Sequence, residues 1–277
     1  MKRACVIGWP VAHSRSPVIH RYWLKLYGLD GAYEMEAVRP EEIGDFLHSL
    51  GWHDYVGANV TLPHKEAALA AADRPDEAAI AIGAANTLWL DAGGLLHASN
   101  TDAYGFMTHL AAEAPDWNKG RRPVMVLGAG GAARAILHGL LEAGATKILL
   151  ANRTEDRAKA LAQSFGSRVS VVPWEERNRA LAGCGLLVNA TSLGMTGKPP
   201  LDLDLSALPA DATVADIVYS PLQTPLLAAA KARGNRIVDG LGMLLHQAVP
   251  GFERWFGVRP EVTPELRAYV AANLGAS

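Results

Sequence analysis

The segment 124–134, with the sequence VMVLGAGGAAR, constrains the fold more than any other part of this chain. An apolar strand runs into a glycine-rich turn and an alanine-rich helix, and a second apolar run follows at 147–151. Gly128, Gly130 and Ala133 fit the G-x-G-x-x-G/A pattern, in which a tight turn lets the backbone approach a pyrophosphate. A glycine turn alone can also be a plain strand–helix connection. Because strand, turn, helix and second strand occur together here, the segment predicts a dinucleotide-binding unit.

The residues after the second strand indicate which dinucleotide is bound. NAD-binding proteins usually place an Asp or Glu about 20 residues after the turn, where it binds the ribose 2′-hydroxyl. Here the strand is followed by Asn152, Arg153 and Thr154, and the first carboxylate is that of Glu155. A guanidinium suits a 2′-phosphate. The sequence therefore predicts NADP rather than NAD.

Composition and charge predict a folded chain with a large core. Hydrophobic residues make up 49% of the 277 residues and charged residues 19%, which is not typical of disorder. The formal net charge of −2 argues against a surface for nucleic acid or anionic membranes. Neither a signal segment nor a membrane span is predicted. Cys5 and Cys184 form no C-x-x-C pair, and the nine histidines have no metal-ligand spacing. We expect a cytoplasmic protein without a metal.

Strand and helix patterns alternate through the first hundred residues. Strands are predicted at 4–8, 33–38, 55–62, 85–90 and 95–98, and helices at 16–28, 40–50, 65–72 and 77–82. The pair Ser16-Pro17 is typical of a helix start with serine at the N-cap. The last two strands are separated by DAGG and predict a hairpin.

The second half predicts a doubly wound sheet and a helical tail. After the glycine turn, strands are predicted at 147–151, 169–172, 186–189, 214–217 and 236–239, and helices at 155–164 and 225–233. The final segments, 243–256 and 264–272, are helical with apolar faces and have no strand of their own. The fold class is α/β, with a mostly parallel N-terminal domain (1–105, completed by 240–277) and a Rossmann-type domain (106–239). We expect the C-terminal helices to return to the first domain.

Polar residues cluster at four points of the first domain where predicted strands end or helices begin. They are the segments 13–17 (HSRSP), 57–65 (GANVTLPHK), 86–87 (NT) and 100–102 (NTD). In open α/β sheets, ligands bind at the carboxyl ends of the strands. The first domain is therefore predicted to bind a small molecule.

The order of the motifs resembles that of the shikimate dehydrogenase family. HSRSP, GANVTLPHK, GAANT, NTD, GAGGA, NRT, NATSLGM and DGLGMLLHQA follow one another from near residue 5 to about residue 256. The resemblance implies the reversible, NADP-linked reduction of 3-dehydroshikimate to shikimate in aromatic amino-acid biosynthesis. It also implies that the first domain binds the substrate.

The resemblance implies that Lys65 and Asp102 are the catalytic pair. When a hydride leaves the carbon that bears a hydroxyl, that hydroxyl loses its proton, and an acceptor must lie within hydrogen-bond reach. A lysine amine in a desolvated site can accept this proton, and a carboxylate can orient the amine. Without the resemblance, Lys65 is more simply explained as a solvated residue at a helix start, and Asp102 equally well as a helix N-cap.

The resemblance also implies a set of substrate contacts. Ser14 and Ser16 match the family's carboxylate-binding serines, although Ser16 is also a reasonable helix cap. The other expected substrate contacts are Thr61, Asn86 and Gln247, and Asn59 and Tyr219 are expected as additional substrate contacts.

On the cofactor side, the resemblance implies three groups of contacts. The phosphate turn is Gly128, Ala129, Gly130, Gly131 and Ala132, the 2′-phosphate pocket is Asn152, Arg153, Thr154 and Arg157, and the nicotinamide is near Ile217, Gly240 and Met243. Arg157 could instead be a solvated helix residue. Glu77 lies at a position that some members use near the cofactor, and Thr191-Ser192 could line the same site.

A few residues depart from the family's usual pattern, and other functions stay open at this point. Arg15 stands in place of a lysine, His64 in place of an apolar residue, and Ala103-Tyr104 in place of a glycine-containing pair. The bulk of Tyr104 leaves the breadth of substrates open.

The alternatives are a quinate/shikimate dehydrogenase of broader substrate and cofactor use and a catalytically silent nucleotide-binding module. A folate dehydrogenase is disfavoured, because the serine pair suits a small hydroxy acid. We expect a monomer or homodimer that binds small molecules and neither nucleic acid nor membrane.

Overall fold

The computed structural model describes residues 1–274, which divide into two compact units. The first unit consists of Met1–Asp102 and the chain from Leu245 onward, and the second is Ala103–Leu244. Each unit contains one six-stranded sheet. Within the described residues, no helix has the length and apolar character that crossing a membrane would require.

The sheet of the first unit is mixed. Its strands are β1 (Lys2–Gly8), β2 (Gly31–Ala37), β3 (Tyr55–Val60), β4 (Arg74–Pro75), β5 (Thr87–Leu90) and β6 (Leu96–Ser99), in the order β2-β1-β3-β5-β6-β4. The pairs β1–β2, β1–β3 and β4–β6 are parallel, whereas β3–β5 and β5–β6 are antiparallel. The predicted hairpin is the pair β5–β6. The helices before it are α1 (Ser16–Leu26), α2 (Ile43–His48), α3 (Lys65–Ala71) and α4 (Glu77–Ile82).

The sheet of the second unit is entirely parallel. Its strands are β7 (Val124–Leu127), β8 (Ile148–Ala151), β9 (Val169–Val171), β10 (Leu186–Asn189), β11 (Thr213–Asp216) and β12 (Arg236–Val238). Their order, β12-β11-β10-β7-β8-β9, is that of a dinucleotide-binding sheet. The later helices are α5 (Asp102–Glu113), α6 (Gly131–Glu142), α7 (Glu155–Phe165), α8 (Arg177–Ala180), α9 (Pro225–Ala232), α10 (Gly240–Phe256) and α11 (Pro264–Ala272). The predicted α/β fold class is confirmed.

Strand β7 shows why the second sheet needs continuous apolar runs. Val124 and Val126 belong to one core cluster, whereas Met125 and Leu127 belong to another. Successive side chains of a strand point to opposite faces, so the two clusters cover the two faces of the sheet. A strand buried on both faces cannot alternate apolar with polar residues.

The C-terminal helices pack on the first unit, as predicted. The indole of Trp255 in α10 donates a hydrogen bond to the Leu88 carbonyl at 2.8 Å. A Cβ at residue 57 would overlap this indole, so Gly57 makes room for it. The indole of Trp23 donates to the carbonyl of Glu261, just before α11, at 3.2 Å.

Several local predictions were wrong. Ser16 is not the N-cap of α1, because Arg15 holds that position and the Ser16 N–H donates to Ser14 Oγ at 3.3 Å. The predicted helix 40–50 is only Ile43–His48, followed by a 3₁₀ turn at Leu50–His53. Helix α10 begins three residues before its predicted start, and the short elements β4 and α8 were not predicted.

The glycine turn after β7 depends on the backbone freedom of Gly128. Its φ of +108° lies in the region that side chains disfavour, and its N–H donates to the Ala151 carbonyl at 2.8 Å. A Cβ at this position would lie 2.9 Å from the Ala190 carbonyl oxygen. By contrast, a Cβ at Gly131 would meet nothing within 4 Å.

These two positions predict opposite effects of the same substitution. Gly128→Ala should lower the free energy of unfolding by about 1–3 kcal/mol, because it combines backbone strain with a clash. Gly131→Ala, in the first turn of α6, should leave it unchanged or raise it by up to about 1 kcal/mol. Urea unfolding of both variants checks this. Equal stability of the two variants would contradict the account of the turn.

His20 is completely buried among aromatic rings of the first unit. Its ring stacks on Tyr33 with the centroids 4.0 Å apart, and it also contacts Trp23, Phe252 and Trp255. Neither ring nitrogen has a hydrogen-bond partner among residues 1–274. Burial lowers the pKa of His20 to about 3, against a weaker opposing effect of the Asn59 amide. The ring is therefore neutral in the folded protein.

This neutral ring predicts a specific sensitivity to acid. An unfolded histidine titrates near pH 6.5. Between that pH and about 3, the unfolded chain therefore binds a proton at His20 that the folded chain does not bind. The contribution of the neutral His20 ring to the free energy of unfolding is fully present above pH 6.5 and decreases as the pH drops towards 3. His20 should account for a loss of about 2 kcal/mol between pH 7.5 and pH 5.

His20→Phe should remove this part of the pH dependence, measured by urea unfolding at a series of pH values. His48→Phe, a change at an exposed histidine, should keep it. A wild-type pH slope in His20→Phe would refute the role of His20.

Candidate functional site

Lys65 and Asp102 form an ion pair in the first unit. Lys65 Nζ donates to Asp102 Oδ2, and the two side chains are only 19% and 11% exposed. Lys65 begins α3, and Asp102 begins α5. The turn before α3 is anchored by the buried His64, whose Nε2 lies 2.7 Å from the Val38 carbonyl oxygen. This contact gives the unusual histidine a structural role.

Asn86 holds the second oxygen of this carboxylate. Its Nδ2 donates to Asp102 Oδ1 at 2.8 Å. Its Oδ1 accepts from the Thr101 N–H at 2.8 Å and from Thr87 Oγ1 at 2.9 Å. These donors fix which way the amide faces, so its N–H₂ group must point at Asp102. Both carboxylate oxygens therefore have a hydrogen-bond donor, as a buried anion requires.

A second layer of polar side chains supports Asn86. Asn59 Nδ2 donates to the Asn86 carbonyl at 3.2 Å and to Thr87 Oγ1 at 3.3 Å. Its Oδ1 accepts from the Tyr33 hydroxyl at 2.6 Å. Burial raises the pKa of Tyr33, so this hydroxyl keeps its proton and stays a donor.

Three further predicted residues of the first unit lie at the start of α1, directly after β3 and in α10. Ser16 is 7% exposed, and its hydroxyl interacts with that of Tyr33. Thr61 packs on Gly8, where a Cβ would lie 2.5 Å from its methyl group. The carbonyl of Gln247 accepts from Thr101 Oγ1 at 2.8 Å, which links α10 to the Asn-Thr-Asp segment.

The structure thus connects most, but not all, of the predicted residues of the first unit. One hydrogen-bonded network, which we call the Asp102 network, contains Lys65, Asp102, Asn86, Asn59 and Gln247. Glu77 is exposed in the first turn of α4 and does not hydrogen bond to this network. Thr87 and Thr101 belong to it, although they were seen only as parts of polar clusters. Tyr33 was missed, because a tyrosine in a predicted strand gives no functional signal.

In the second unit, the glycine turn borders a cavity of about 200 Å³. Its lining comes from the turn, the ends of β8 and β10, and one aromatic residue: Gly128, Ala129, Gly130, Asn152, Arg153, Trp174, Ala190, Thr191, Ser192 and Leu193. Gly130 precedes α6 and has no side chain to cap it, which leaves first-turn N–H groups available. A Cβ at Gly130 would meet nothing within 4 Å, so the turn faces open space.

These residues fit a dinucleotide that carries a 2′-phosphate. Uncapped N–H groups at a helix N-terminus bind phosphate, and the guanidinium of Arg153 is exposed beside them. The Asn152 amide donates to the Thr154 carbonyl at 2.8 Å and shapes the loop. Arg157 is exposed on α7 and does not line the cavity.

The three residues predicted near the nicotinamide lie together. A Cβ at residue 240 would overlap the Ile217 carbonyl, so Gly240 lets α10 begin against this segment. Ile217 packs on the core cluster that contains Met243. Tyr219 follows two residues later and is half-buried. No group of three His, Cys, Asp or Glu side chains in the described part of the chain is placed to hold a metal.

Three family models match this chain. The shikimate dehydrogenase substrate binding domain matches residues 6–88, shikimate / quinate 5-dehydrogenase matches 110–195, and the shikimate 5′-dehydrogenase C-terminal domain matches 240–264.

Individual relatives match over almost the whole chain. A shikimate dehydrogenase (NADP(+)) of Rhodopseudomonas palustris (strain TIE-1) is 60% identical over 273 residues, which cover 99% of this chain and 97% of that protein. Shikimate 5-dehydrogenase from Thermus thermophilus, solved with NADP(H) and shikimate, has a TM-score of 0.86 at 39% identity and covers 99% of this chain and 100% of that one. Quinate dehydrogenase from Corynebacterium glutamicum, solved with NAD, has a TM-score of 0.91 at 31% identity and covers 98% and 99%.

The family resemblance predicted from the motifs is confirmed by these matches. Lys65, Asn86 and the glycine turn with Arg153 lie within the matched regions, and Asp102 lies between two of them. The chain belongs to the shikimate dehydrogenase family.

Proposed function

We propose that this protein is an NADP-dependent shikimate dehydrogenase. It catalyses the reversible, NADPH-dependent reduction of 3-dehydroshikimate to shikimate in aromatic amino-acid (chorismate) biosynthesis. The observation that carries the proposal is the Lys65–Asp102 ion pair, held by Asn86, in a chain that is 60% identical to shikimate dehydrogenases.

Lys65 moves the proton. During reduction, its ammonium donates a proton to the carbonyl oxygen as that oxygen becomes an alkoxide. During oxidation, its amine takes the proton back. Asp102 accepts one of the three N–H bonds of the ammonium, which leaves two that can reach the substrate oxygen. When bound, NADPH supplies the hydride to the carbonyl carbon.

The other polar residues of the first unit bind the substrate. Ser14 and Ser16 hold the carboxylate, while Thr61, Asn86 and Gln247 bind the ring hydroxyls, with Asn59 and Tyr219 as further contacts. Support comes from the Asp102 network, in which hydrogen bonds hold Asn59, Asn86 and the Gln247 main chain in one cluster with the Lys65–Asp102 pair. A site built from hydroxyls and amides discriminates strongly against substrates that lack the matching hydroxyls.

The second unit binds the cofactor. The turn 128–132 holds the pyrophosphate, and Asn152, Arg153 and Thr154 hold the 2′-phosphate, with Arg157 as an outer charge. Ile217, Gly240 and Met243 lie beside the nicotinamide, and Glu77 is a further cofactor contact. Accordingly, residues 1–105 with 240–277 form the substrate domain and 106–239 the NADP domain.

We further propose that the protein is cytoplasmic and a monomer or homodimer. Its two cysteines, Cys5 and Cys184, are free and buried, which agrees with a reducing compartment.

A quinate/shikimate dehydrogenase with NAD is the second candidate. The observation in its favour is the TM-score of 0.91 to a quinate dehydrogenase solved with NAD. Arg153 argues against it, because a guanidinium after β8 has no partner on the 2′-hydroxyl comparable to a phosphate.

Lys65→Met should lower kcat for shikimate oxidation about 10²- to 10⁴-fold, since it removes the proton acceptor. The affinity for NADPH should stay within about twofold, because Lys65 is not part of the proposed cofactor site. Lys25→Met, a change at an exposed lysine of α1, should keep full activity. Steady-state kinetics with a fluorescence titration of NADPH checks both. Substantial turnover by Lys65→Met would rule out the proposed role.

Arg153→Ser should raise the KM for NADP⁺ about 10- to 100-fold, because it removes charge-assisted hydrogen bonds to the 2′-phosphate. The KM for NAD⁺ should hardly change. Arg179→Ser serves as the control, since that arginine is 81% exposed and pairs with Glu176. Initial rates with both cofactors measure the difference. Equal efficiency of wild type with NAD⁺ and NADP⁺ would favour the second candidate instead.

A further inference from the structure

A buried carboxylate at the end of β11 has no place in the proposed chemistry. Asp216 is 2% exposed and receives three hydrogen bonds. Its Oδ1 accepts from Asn189 Nδ2 at 2.9 Å and from the Val218 N–H at 3.0 Å, and its Oδ2 accepts from Thr224 Oγ1 at 2.7 Å. Burial raises the pKa of Asp216 to about 6, so the group is mostly ionised at neutral pH. Hydrogen bonds to an ionised acceptor are about twice as strong as neutral ones.

The first arm of this hydrogen-bond cluster is the contact between Asp216 and the Val218 N–H, and it fixes the chain after β11. Val218 lies between Ile217 and Tyr219, which the proposed function places near the nicotinamide and the substrate. Its N–H is bound by Asp216, and the Ile217 N–H donates to the Asn189 carbonyl at 3.1 Å. The direction in which the two flanking side chains leave the backbone is therefore set at Val218.

The second arm is the contact between Asp216 and the Asn189 amide, and through Asn189 it reaches the wall of the cofactor cavity. Asn189 Oδ1 accepts from both the N–H and the hydroxyl of Thr191, at 3.1 and 2.7 Å, and its Nδ2 also donates to the Leu193 carbonyl at 3.2 Å. Thr191 and Leu193 line the cavity together with the glycine turn. Since Asp216 binds the Asn189 amide, it also fixes which way that amide faces.

We propose that Asp216 is a positioning residue whose single carboxylate fixes both the segment 217–219 and the cavity wall 191–193. This inference rests on the proposed function, because it takes those segments to be substrate and cofactor contacts. A carboxylate suits the position because all three neighbours approach it as donors. An apolar residue would leave the buried Val218 N–H without an acceptor, and such an orphan is costly.

Asp216→Ala and Asp216→Asn test the proposal against a matched control, Asn235→Ala. Asn235 is a buried polar residue of the same unit, and its amide donates to the carbonyls of Pro209, Ala210 and Ala212. It therefore ties down the amino end of β11, whereas Asp216 acts at the carboxyl end. The measurements are the Kd of NADPH by fluorescence titration, kcat and KM for shikimate, and the thermal midpoint.

Asp216→Ala should raise the Kd of NADPH about tenfold and lower kcat/KM for shikimate about 30-fold. Asn235→Ala should lower the thermal midpoint comparably and change both kinetic quantities less than about twofold. Asp216→Asn should stay within about threefold of wild type, because its Oδ1 still accepts from Asn189 and Val218. Effects of Asp216→Ala no larger than those of Asn235→Ala would overturn the proposal.

Asn189→Ala removes only the second arm, and it tests the proposal independently if Asp216→Ala does not fold. It should raise the Kd of NADPH about fivefold and leave the KM for shikimate within about twofold. An unchanged Kd would overturn the proposal. A wild-type protein that binds NADPH without oxidising shikimate would overturn the proposed function alone, because the NADPH affinities would still report on Asp216.

Discussion

The carboxylate of Asp102 is the group on which the polar arrangement of the first unit depends. It is 11% exposed as a side chain, and an anion so placed is stable only when both oxygens are hydrogen bonded. Lys65 serves one oxygen and Asn86 the other. Its position at the start of α5 helps, since a helix N-terminus favours negative charge. Removing Asn86 would leave one buried carboxylate oxygen without a hydrogen bond, and removing Lys65 would leave the negative charge unpaired.

The need to hydrogen bond both oxygens of Asp102 also determines how the neighbouring amides of Asn86 and Asn59 are oriented. Asn86 can donate to Asp102 only while its oxygen faces Thr87 and Thr101, and Asn59 in turn supports Asn86. Each of these side chains fixes the orientation of its neighbour. The position of the Lys65 ammonium therefore depends on Asn86 and Asn59, which act on it through Asp102. Networks of this kind specify one geometry because a half-satisfied alternative is expensive.

In the second unit, the polar groups that matter lie at the ends of the strands. Its sheet is apolar on both faces, and its polar atoms concentrate where strands end. Gly128 turns the chain with a positive φ, and Asn189 and Asp216 take up the backbone donors beyond β10 and β11. The ends of these strands are therefore ordered by two buried polar side chains that lie within otherwise apolar runs.

Most of the fold could be predicted from the sequence, and the family resemblance singled out several of the residues that the structure joins in the Asp102 network. Continuous apolar runs predict buried parallel strands, which is why β10 was predicted with its observed bounds. Ser16 was misread because Ser-Pro fits a helix cap and a first turn equally well, and only the three-dimensional turn decides between them. Tyr33 and Asp216 escaped because their partners lie far along the chain, at Asn59 and Asn189. Spacing in one sequence does not reveal such pairs.

The most direct test of the account is the steady-state rate of NADP⁺ reduction by the wild-type protein with shikimate, set against quinate, followed at the absorbance of NADPH. The account predicts kcat/KM for shikimate of about 10⁴ M⁻¹s⁻¹ or more, a value typical of enzymes on their own substrates, and at least about tenfold less with quinate. No reduction with shikimate, or equal rates on the two acids, would contradict it.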